Sequence, residues 1–285
     1  MTARRPSASS LRVGDSLPEY EAVAFNGAVH SVNKIHDDEV ARQYGFAGGL
    51  VPGVTIYAYM TRPLMDALGH EWLNHGRINV RLLKPFYAGE LVTVRTVVGR
   101  SEAGELALGV VALNAAGETC AAATASLGGE PAAAAAPIAH APLPGIRPAV
   151  SREALAGADV LGSLDEVVSA TMVDEYLEEV QDDFPAYRGS DAVLASGLLI
   201  RRANWILEGN VVLNPWLHVS SDIVHYSLAH PGEHLSTRGR VTALFERRGH
   251  QFVDMDVVVL AGEDRPVMGV HHTAIYDIRN VETHP

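Results

Sequence analysis

A helix that is apolar on nearly every side cannot rest on a protein surface and has to be wrapped by other elements. The chain contains such a segment directly after Pro52-Gly53, with Val54, Tyr57, Ala58, Met60 and Met65 and little charge between them. A short polar turn beginning at residue 30, a short acidic helix and a glycine-rich loop precede it. Asp37 or Asp38 can cap that short helix, Glu39 adds negative charge to its first turn, and Gly45 can close it. From Arg77 onward the hydrophobic period becomes two. INVRLLKPFYAGELVTVRTVVGRS and ELALGVVALNAAGETCAAATASL read as long strands, broken at Ala88-Gly89-Glu90 and Ala116-Gly117-Glu118. A long apolar helix followed by antiparallel strands predicts a sheet curled around the helix.

The same order recurs. Residues 128–150, GEPAAAAAPIAHAPLPGIRP at their core, are rich in alanine and proline and nearly uncharged, the composition of a stiffened linker. Beyond them, MVDEYLEEVQDDFPAYRGSDAVLASGLLIRRANWILEG again reads as a short acidic helix, a loop and a longer apolar helix, and three strand segments follow. Setting Gly89-Glu90 on Gly232-Glu233 also aligns Thr93 with Ser236 and Arg95 with Arg238, and Gly117-Glu118 falls close to Gly262-Glu263. The expected organisation is therefore one unit over residues 1–127, a linker over 128–150 and a second, degenerate unit over 151–285. One unit alone would leave a sheet edge and part of its helix exposed, so the two should pair side by side, with a crevice between them.

Composition narrows the function. Hydrophobic residues make up 47% and charged residues 20% of 285, as in ordinary globular proteins. No apolar run reaches the length of a membrane span, and MTARRPSASSLRVGDSLPEY lacks the apolar core of a secretory signal, so it reads as a loose tail. One cysteine, Cys120, leaves no internal disulfide and no cysteine-built zinc site, and a reducing cytoplasm is the natural setting. A net charge of −12 argues against nucleic acid as a partner. No GxSxG, GxxxxGK[ST] or GxGxxG motif is present, and the histidines lack ligand spacing, so neither a metal nor another cofactor is expected. His271 and His272, being adjacent, should point to opposite faces of a strand.

What remains is a pairing of one ionisable group with one helix N-terminus. His36 stands just before the short helix, and Gly53 opens the apolar one. Each has a plain structural reading too: a hydrogen-bonded histidine, and a glycine that admits a tight turn after Pro52. Asn33 can likewise be a turn residue that bonds its own backbone. Arg81 and Lys84 follow on the first strand, with Arg77 nearby, while Arg201 and Arg202 sit inside the second apolar helix and must reach solvent or a partner. Tyr57 and Tyr59 pack or line the crevice, and Cys120 reads as buried.

Asn33, Ile35, His36, Asp38, Ala41, Gly45, Phe46 and Gly53 together resemble the motif of the MaoC-like, R-specific enoyl-CoA hydratases and dehydratases, and the doubled unit looks like their double hotdog architecture. The resemblance implies an α+β fold, an antiparallel sheet wrapped around two central helices. It also implies an acyl-CoA or acyl-carrier-protein substrate, and a chain that stands alone or pairs again as a homodimer. His36 would be the acid/base, Gly53 the donor to the thioester carbonyl, and Ser31 or Asn33 the group that orients water or the imidazole. Tyr57, Arg81 and Lys84 would contact the substrate, an arginine or lysine meeting the carrier's phosphates. Three positions depart from the motif. Ser31 stands where the family has its catalytic aspartate, Lys34 replaces the motif proline, and Pro52-Gly53 replaces a His-Gly pair. The second-half counterpart of His36 is expected near Val173, without the aspartate-to-histidine spacing, which places the site in the first half. Hydration or dehydration of enoyl or 3-hydroxyacyl thioesters is the leading expectation. Thioester hydrolysis, a specialised lyase or cyclase step, or acyl binding without catalysis are the alternatives.

Overall fold

The computed structural model describes residues 11–279, apart from 30, 103, 131, 132, 134, 136 and 158. Residues 1–10 of the expected tail, and residue 30 at the head of the polar turn, lie outside the described residues.

The first half runs β1 (Tyr20–Val23), a 3-10 turn (Lys34–His36), α1 (Asp38–Gln43), α2 (Gly53–Leu68), α3 (His70–His75), β2 (Arg77–Leu82), β3 (Leu91–Glu102), β4 (Glu105–Leu113) and β5 (Thr119–Gly128). The second half runs α4 (Arg152–Ala156), β6 (Leu161–Val167), α5 (Ala170–Glu179), a 3-10 turn (Pro185–Tyr187), α6 (Ser196–Asn210), β7 (Leu217–His225), β8 (His234–Arg247), β9 (His250–Ala261) and β10 (Arg265–Asp277). The strands form one antiparallel sheet in the order β1-β3-β4-β5-β2-β7-β10-β9-β8-β6. Counted inward from either end, the order is the same, with each strand of the second half standing five places later in the chain. The halves join where β2 pairs with β7, Ile78 opposite Ile223 and Val80 opposite Ser221.

The strands alternate as a half-buried sheet requires. On β3, Val92, Val94, Thr96 and Val98 face inward and the residues between them do not. The inward face packs on α2 and α6, both heavily buried. α2 contributes Val54, Ile56, Met60, Leu64 and Met65 to a core shared by both halves. Truncating one of them, as in Leu64→Ala, would cost roughly 2–5 kcal/mol. The two helices touch where Gly197 meets Ala58: a Cβ on Gly197 would sit 2.9 Å from the Ala58 Cβ and closer still to the Tyr176 hydroxyl.

The aligned turns are alike in detail. Gly89 and Gly232 both have positive φ, +85° and +90°, which glycine adopts at no steric cost. Behind them, the Glu90 carboxylate accepts from the Tyr87 N–H at 3.0 Å, and the Glu233 carboxylate accepts from the His230 N–H at 2.7 Å. Likewise Val51 N–H donates to the Phe86 carbonyl and Leu194 N–H to the Ala229 carbonyl, at 2.9 and 2.8 Å.

Two expectations need correction. From residue 11 onward the N-terminal segment is no loose tail: Leu11 and Leu17 are buried, and Gly14, Asp15 and Leu17 exchange backbone hydrogen bonds with Val98 and Thr96 of β3. Two leucines and a free strand edge outweigh the polar composition. The second correction concerns the counterpart of His36. Leu50 N–H donates to the Ile35 carbonyl, and the equivalent bond in the second half runs from Val193 to Ala186. Tyr187, one residue on, therefore takes the place of His36, whereas Val173 lies inside α5. The acidic helix α5 follows its strand almost at once and precedes the 3-10 turn of its half, whereas α1 comes after the turn of its own, and so matching one acidic helix to the other misplaces the counterpart.

The linker region crosses the outer face of the sheet, where Ile138 packs on Val258 and Leu260, and Ala141 bonds Ser163. Among the described residues no helix is long and apolar enough to cross a membrane.

Candidate functional site

The turn before α1 is built around Asn33 and Asp37. Asp37 caps α1, its carboxylate accepting from the Glu39 and Val40 N–H groups at 3.0 Å each. Asn33 caps the 3-10 turn, Oδ1 accepting from Ile35 N–H at 3.3 Å, and it also reaches across to the second half. There its Nδ2 donates to the Trp216 carbonyl at 3.0 Å, and its Oδ1 accepts from Trp216 N–H at 3.2 Å. One buried amide thus ties the His36 turn to the approach of β7.

His36 sits between these anchors. Its Nδ1 lies 2.7 Å from the Leu50 carbonyl oxygen. A carbonyl can only accept, so Nδ1 carries the proton and Nε2 presents a lone pair. The Asn33 amide stands 3.4 Å from that Nε2. Burial lowers the imidazole's pKa below its ordinary 6.5, partly offset by the Leu50 bond. At neutral pH His36 is an uncharged base with a fixed tautomer.

Its ring lines a cavity of about 230 Å³ that both halves enclose. The first half contributes Asn33, His36, Leu50, Gly53, Leu82 and Lys84, and the second half Asn204, Trp216 and His218. The lining is mainly apolar, and among the described residues it includes the N-terminus of α2 but no carboxylate. Helix N-termini leave N–H groups without intrahelical acceptors and favour negative charge. Gly53 is required by its surroundings, since a Cβ there would lie 2.2 Å from Leu82 Cδ1 and 3.0 Å from His218 Nδ1.

The other expected positions lie as follows. The Ser31 hydroxyl donates to the Asn33 carbonyl at 3.1 Å and is not among the lining residues. Lys84 stands at the cavity, paired with Glu118 at 2.8 Å and half exposed. Arg81 is exposed on β2, outside the lining. Tyr57 is fully buried away from the cavity, its hydroxyl 2.6 Å from Ser196 Oγ. Arg201 and Arg202 are structural: Arg201 pairs with Glu179 at 2.9 Å and lies over the Tyr176 ring, and Arg202 is buried against Glu166. Cys120 lines the cavity wall, buried, with its thiol pKa raised by desolvation. His271 is exposed and His272 buried, on opposite faces.

Sequence reading missed the second half's share. His218 is partly buried; its Nε2 lies 2.9 Å from Ser221 Oγ, which lies 2.9 Å from His272 Nδ1, and the two imidazoles stack at 4.3 Å. The His218 Nδ1 and Asn204 Oδ1 atoms are buried without a hydrogen-bond partner. Burial lowers the His218 pKa to about 4, against a backbone contact at Ser220 that raises it. Residues three apart on a regular strand face opposite ways. The pairing register of β7 and β10 shifts at Val219, between the Ser220–Thr273 and His218–Ala274 pairs, and this bulge brings His218 and Ser221 to one side.

No protein-family profile and no curated relative matches the chain. Solved structures do. A Chloroflexus aurantiacus J-10-fl protein named for a MaoC dehydratase domain superposes with a TM-score of 0.66 at 10% identity, covering 95% of this chain and 97% of that one. A Mycobacterium tuberculosis protein with a double hotdog fold gives 0.65 at 15% identity, covering 95% and 98%. A Lactobacillus plantarum protein named as an oleoyl thioesterase gives 0.52 at 10% identity, covering 94% and 100%. At such identities the likeness concerns the fold, and the chain is accordingly an α+β double hotdog protein.

Proposed function

We propose that the protein hydrates enoyl thioesters, or dehydrates 3-hydroxyacyl thioesters, carried by coenzyme A or a carrier protein. The observation that carries this reading is the His36 imidazole, held with Nε2 unprotonated, in a cavity shared with the start of α2. In hydration, Nε2 takes a proton from water as its oxygen bonds to Cβ and the C=C electrons move toward the carbonyl. The imidazolium then returns that proton to Cα, so that one water is added overall. Negative charge gathered on the thioester oxygen is met by the Gly53 N–H and the α2 dipole. A single imidazole serves both transfers, which accommodates Ser31 in place of a carboxylate. Asn33 holds the turn against Trp216 and lies close enough to Nε2 to steady the ring or the water. Lys84 at the cavity is the first-half cation best placed for the carrier's phosphate, and it would exchange Glu118 for that contact.

Thioester hydrolysis is the competing reading, favoured by the cavity's lack of a carboxylate, because His36 could direct water at the carbonyl carbon instead. The test is to follow enoyl absorbance and free thiol together while the protein is mixed with crotonyl-CoA and longer trans-2-enoyl-CoAs. Loss of absorbance without thiol is expected. Thiol release at equal rate would establish hydrolysis, and turnover of neither kind would remove both.

A further inference from the structure

Apart from the Trp216 indole N–H, which faces Glu208, two polar atoms of the cavity-lining residues are left unpaired and have no explanation in that mechanism, His218 Nδ1 and Asn204 Oδ1. An unpaired buried polar group costs about 1–3 kcal/mol, so its persistence points to a ligand that pairs with it. His218 is the better defined of the two. Its ring is held by Ser221 on one edge and by stacking on His272, and its free Nδ1 stands 3.0 Å from the point where a Gly53 side chain would begin. Nδ1 thus stands beside the first residue of α2, in the wall of the same cavity.

The protonation of Nδ1 follows from the chain behind it. Ser221 lies within hydrogen-bond distance of both His218 Nε2 and His272 Nδ1, and His272 Nε2 is buried without a partner. A serine hydroxyl has one proton, so one imidazole donates to it and the other accepts from it. If His218 donated through Nε2, the far end of the chain would be a buried N–H with nothing to bond, and Nδ1 would be bare. If His272 donates through Nδ1, the far end is a bare lone pair, and His218 carries its proton on Nδ1 facing the cavity. Each arrangement leaves one N–H unpaired, and only the second places it at the cavity, where a bound oxygen can accept from it, rather than at His272 Nε2, which is not among the lining residues.

Resting on the thioester reading above, we propose that His218 is a second donor to the substrate's carbonyl oxygen, its Nδ1–H converging with the Gly53 N–H from the opposite half. A neutral imidazole suits this work. It stabilises developing negative charge without surrendering its proton, and burial keeps it neutral across the physiological range. The arrangement also gives the second half a direct part in catalysis, since His36 and Gly53 come from the first half and His218 from the second.

The experiment combines steady-state kinetics with infrared difference spectra of bound [1-13C]crotonyl-CoA, on wild type, His218→Leu, His218→Asn and Ser221→Ala. In wild type the labelled carbonyl band lies below its position in free thioester. In His218→Leu the band moves back toward the free value and kcat falls about a hundredfold, with a smaller change in KM. His218→Asn, whose amide nitrogen falls near the Nδ1 position, keeps most of both. Ser221→Ala leaves the ring in place but releases the tautomer, and its band and rate fall between. Should His218→Leu not fold, the Asn and Ser221 variants carry the test. A band and kcat indifferent to His218→Leu, or lost as fully in His218→Asn, would overturn the proposal. Bound thioester with a shifted band but no turnover leaves the donor standing and removes the hydratase. Turnover with a band insensitive to residue 218 does the reverse, and a wild type that binds no enoyl-CoA removes both.

Discussion

The two central helices begin in contrasting surroundings. At the start of α2, Gly53 faces a cavity bordered by His36 and His218, with polar atoms left unpaired. At the start of α6 the corresponding residue is Ser196, and its hydroxyl is taken up by the Tyr57 hydroxyl at 2.6 Å and His225 Nε2 at 3.1 Å. Tyr176, Phe184 and Tyr187 are packed close by, all buried, and Tyr187 stands where the first half has His36. One half therefore uses the pole of its helix to hold space open, and the other uses it to fill the core. The repeat supplies both poles with the same backbone, and the side chains decide which one borders a cavity.

Exchanging equivalent residues breaks or sharpens this contrast. The largest effect is expected for the histidines. His36→Ala should lower kcat on an enoyl thioester roughly a thousandfold with little change in thermal midpoint, as befits loss of a general base. His225→Ala, at the packed pole, should leave kcat within about twofold while costing about 1–3 kcal/mol of stability, since it strands a buried Ser196 hydroxyl bond. Equal kinetic damage from both would erase the distinction.

The helix starts come next. Gly53→Ala forces a methyl against Leu82 and His218 and should cost roughly 1–3 kcal/mol together with most of the activity. Ser196→Ala leaves the Tyr57 hydroxyl and His225 short of a partner and should cost a similar amount in denaturant unfolding, with kcat retained.

The smallest effect is in pH. An unfolded histidine binds its proton near pH 6.5, whereas burial delays this to about 4 at His218 and about 3 at His225. Between those values the unfolded chain holds more protons, so acid favours unfolding and stability rises with pH. At pH 5 each of the two lowers stability by about 2 kcal/mol relative to neutral pH. His225→Gln should remove its share of this slope in urea titrations at pH 5 and 7, and an unchanged slope would count against its burial as a neutral ring. The rate follows His36 instead, holding through pH 6.5 and failing below it as Nε2 is protonated.

Much of this architecture was legible from residue pattern. The apolar helices declared themselves because burial on all sides leaves no polar stripe, and the Gly-Glu turns because a positive φ demands glycine at the same place twice. The first-half part of the candidate site could be proposed from the sequence for a similar reason, since His36, Asn33 and Gly53 lie within one local stretch whose caps fix their geometry. His218 was not. Its partnership with Ser221 and His272 depends on a bulge at Val219 and on the pairing of β7 with β10, both properties of the assembled sheet. Tyr57 misled for the opposite reason: it lies on the helix that opens the site, yet its position on α2 turns it toward Ser196. The edge segment 11–19 was hidden by its composition, because two leucines and a backbone ladder hold it to β3.

The most direct measurement is a crystal structure of the protein with butyryl-CoA, a saturated thioester that cannot take up water. The account predicts the thioester oxygen within hydrogen-bond distance of Gly53 N, Cα and Cβ facing His36 Nε2, and the pole at Ser196 closed. An acyl group lodged beside α6, or one in the α2 cavity with its reacting carbons turned away from His36, would contradict it.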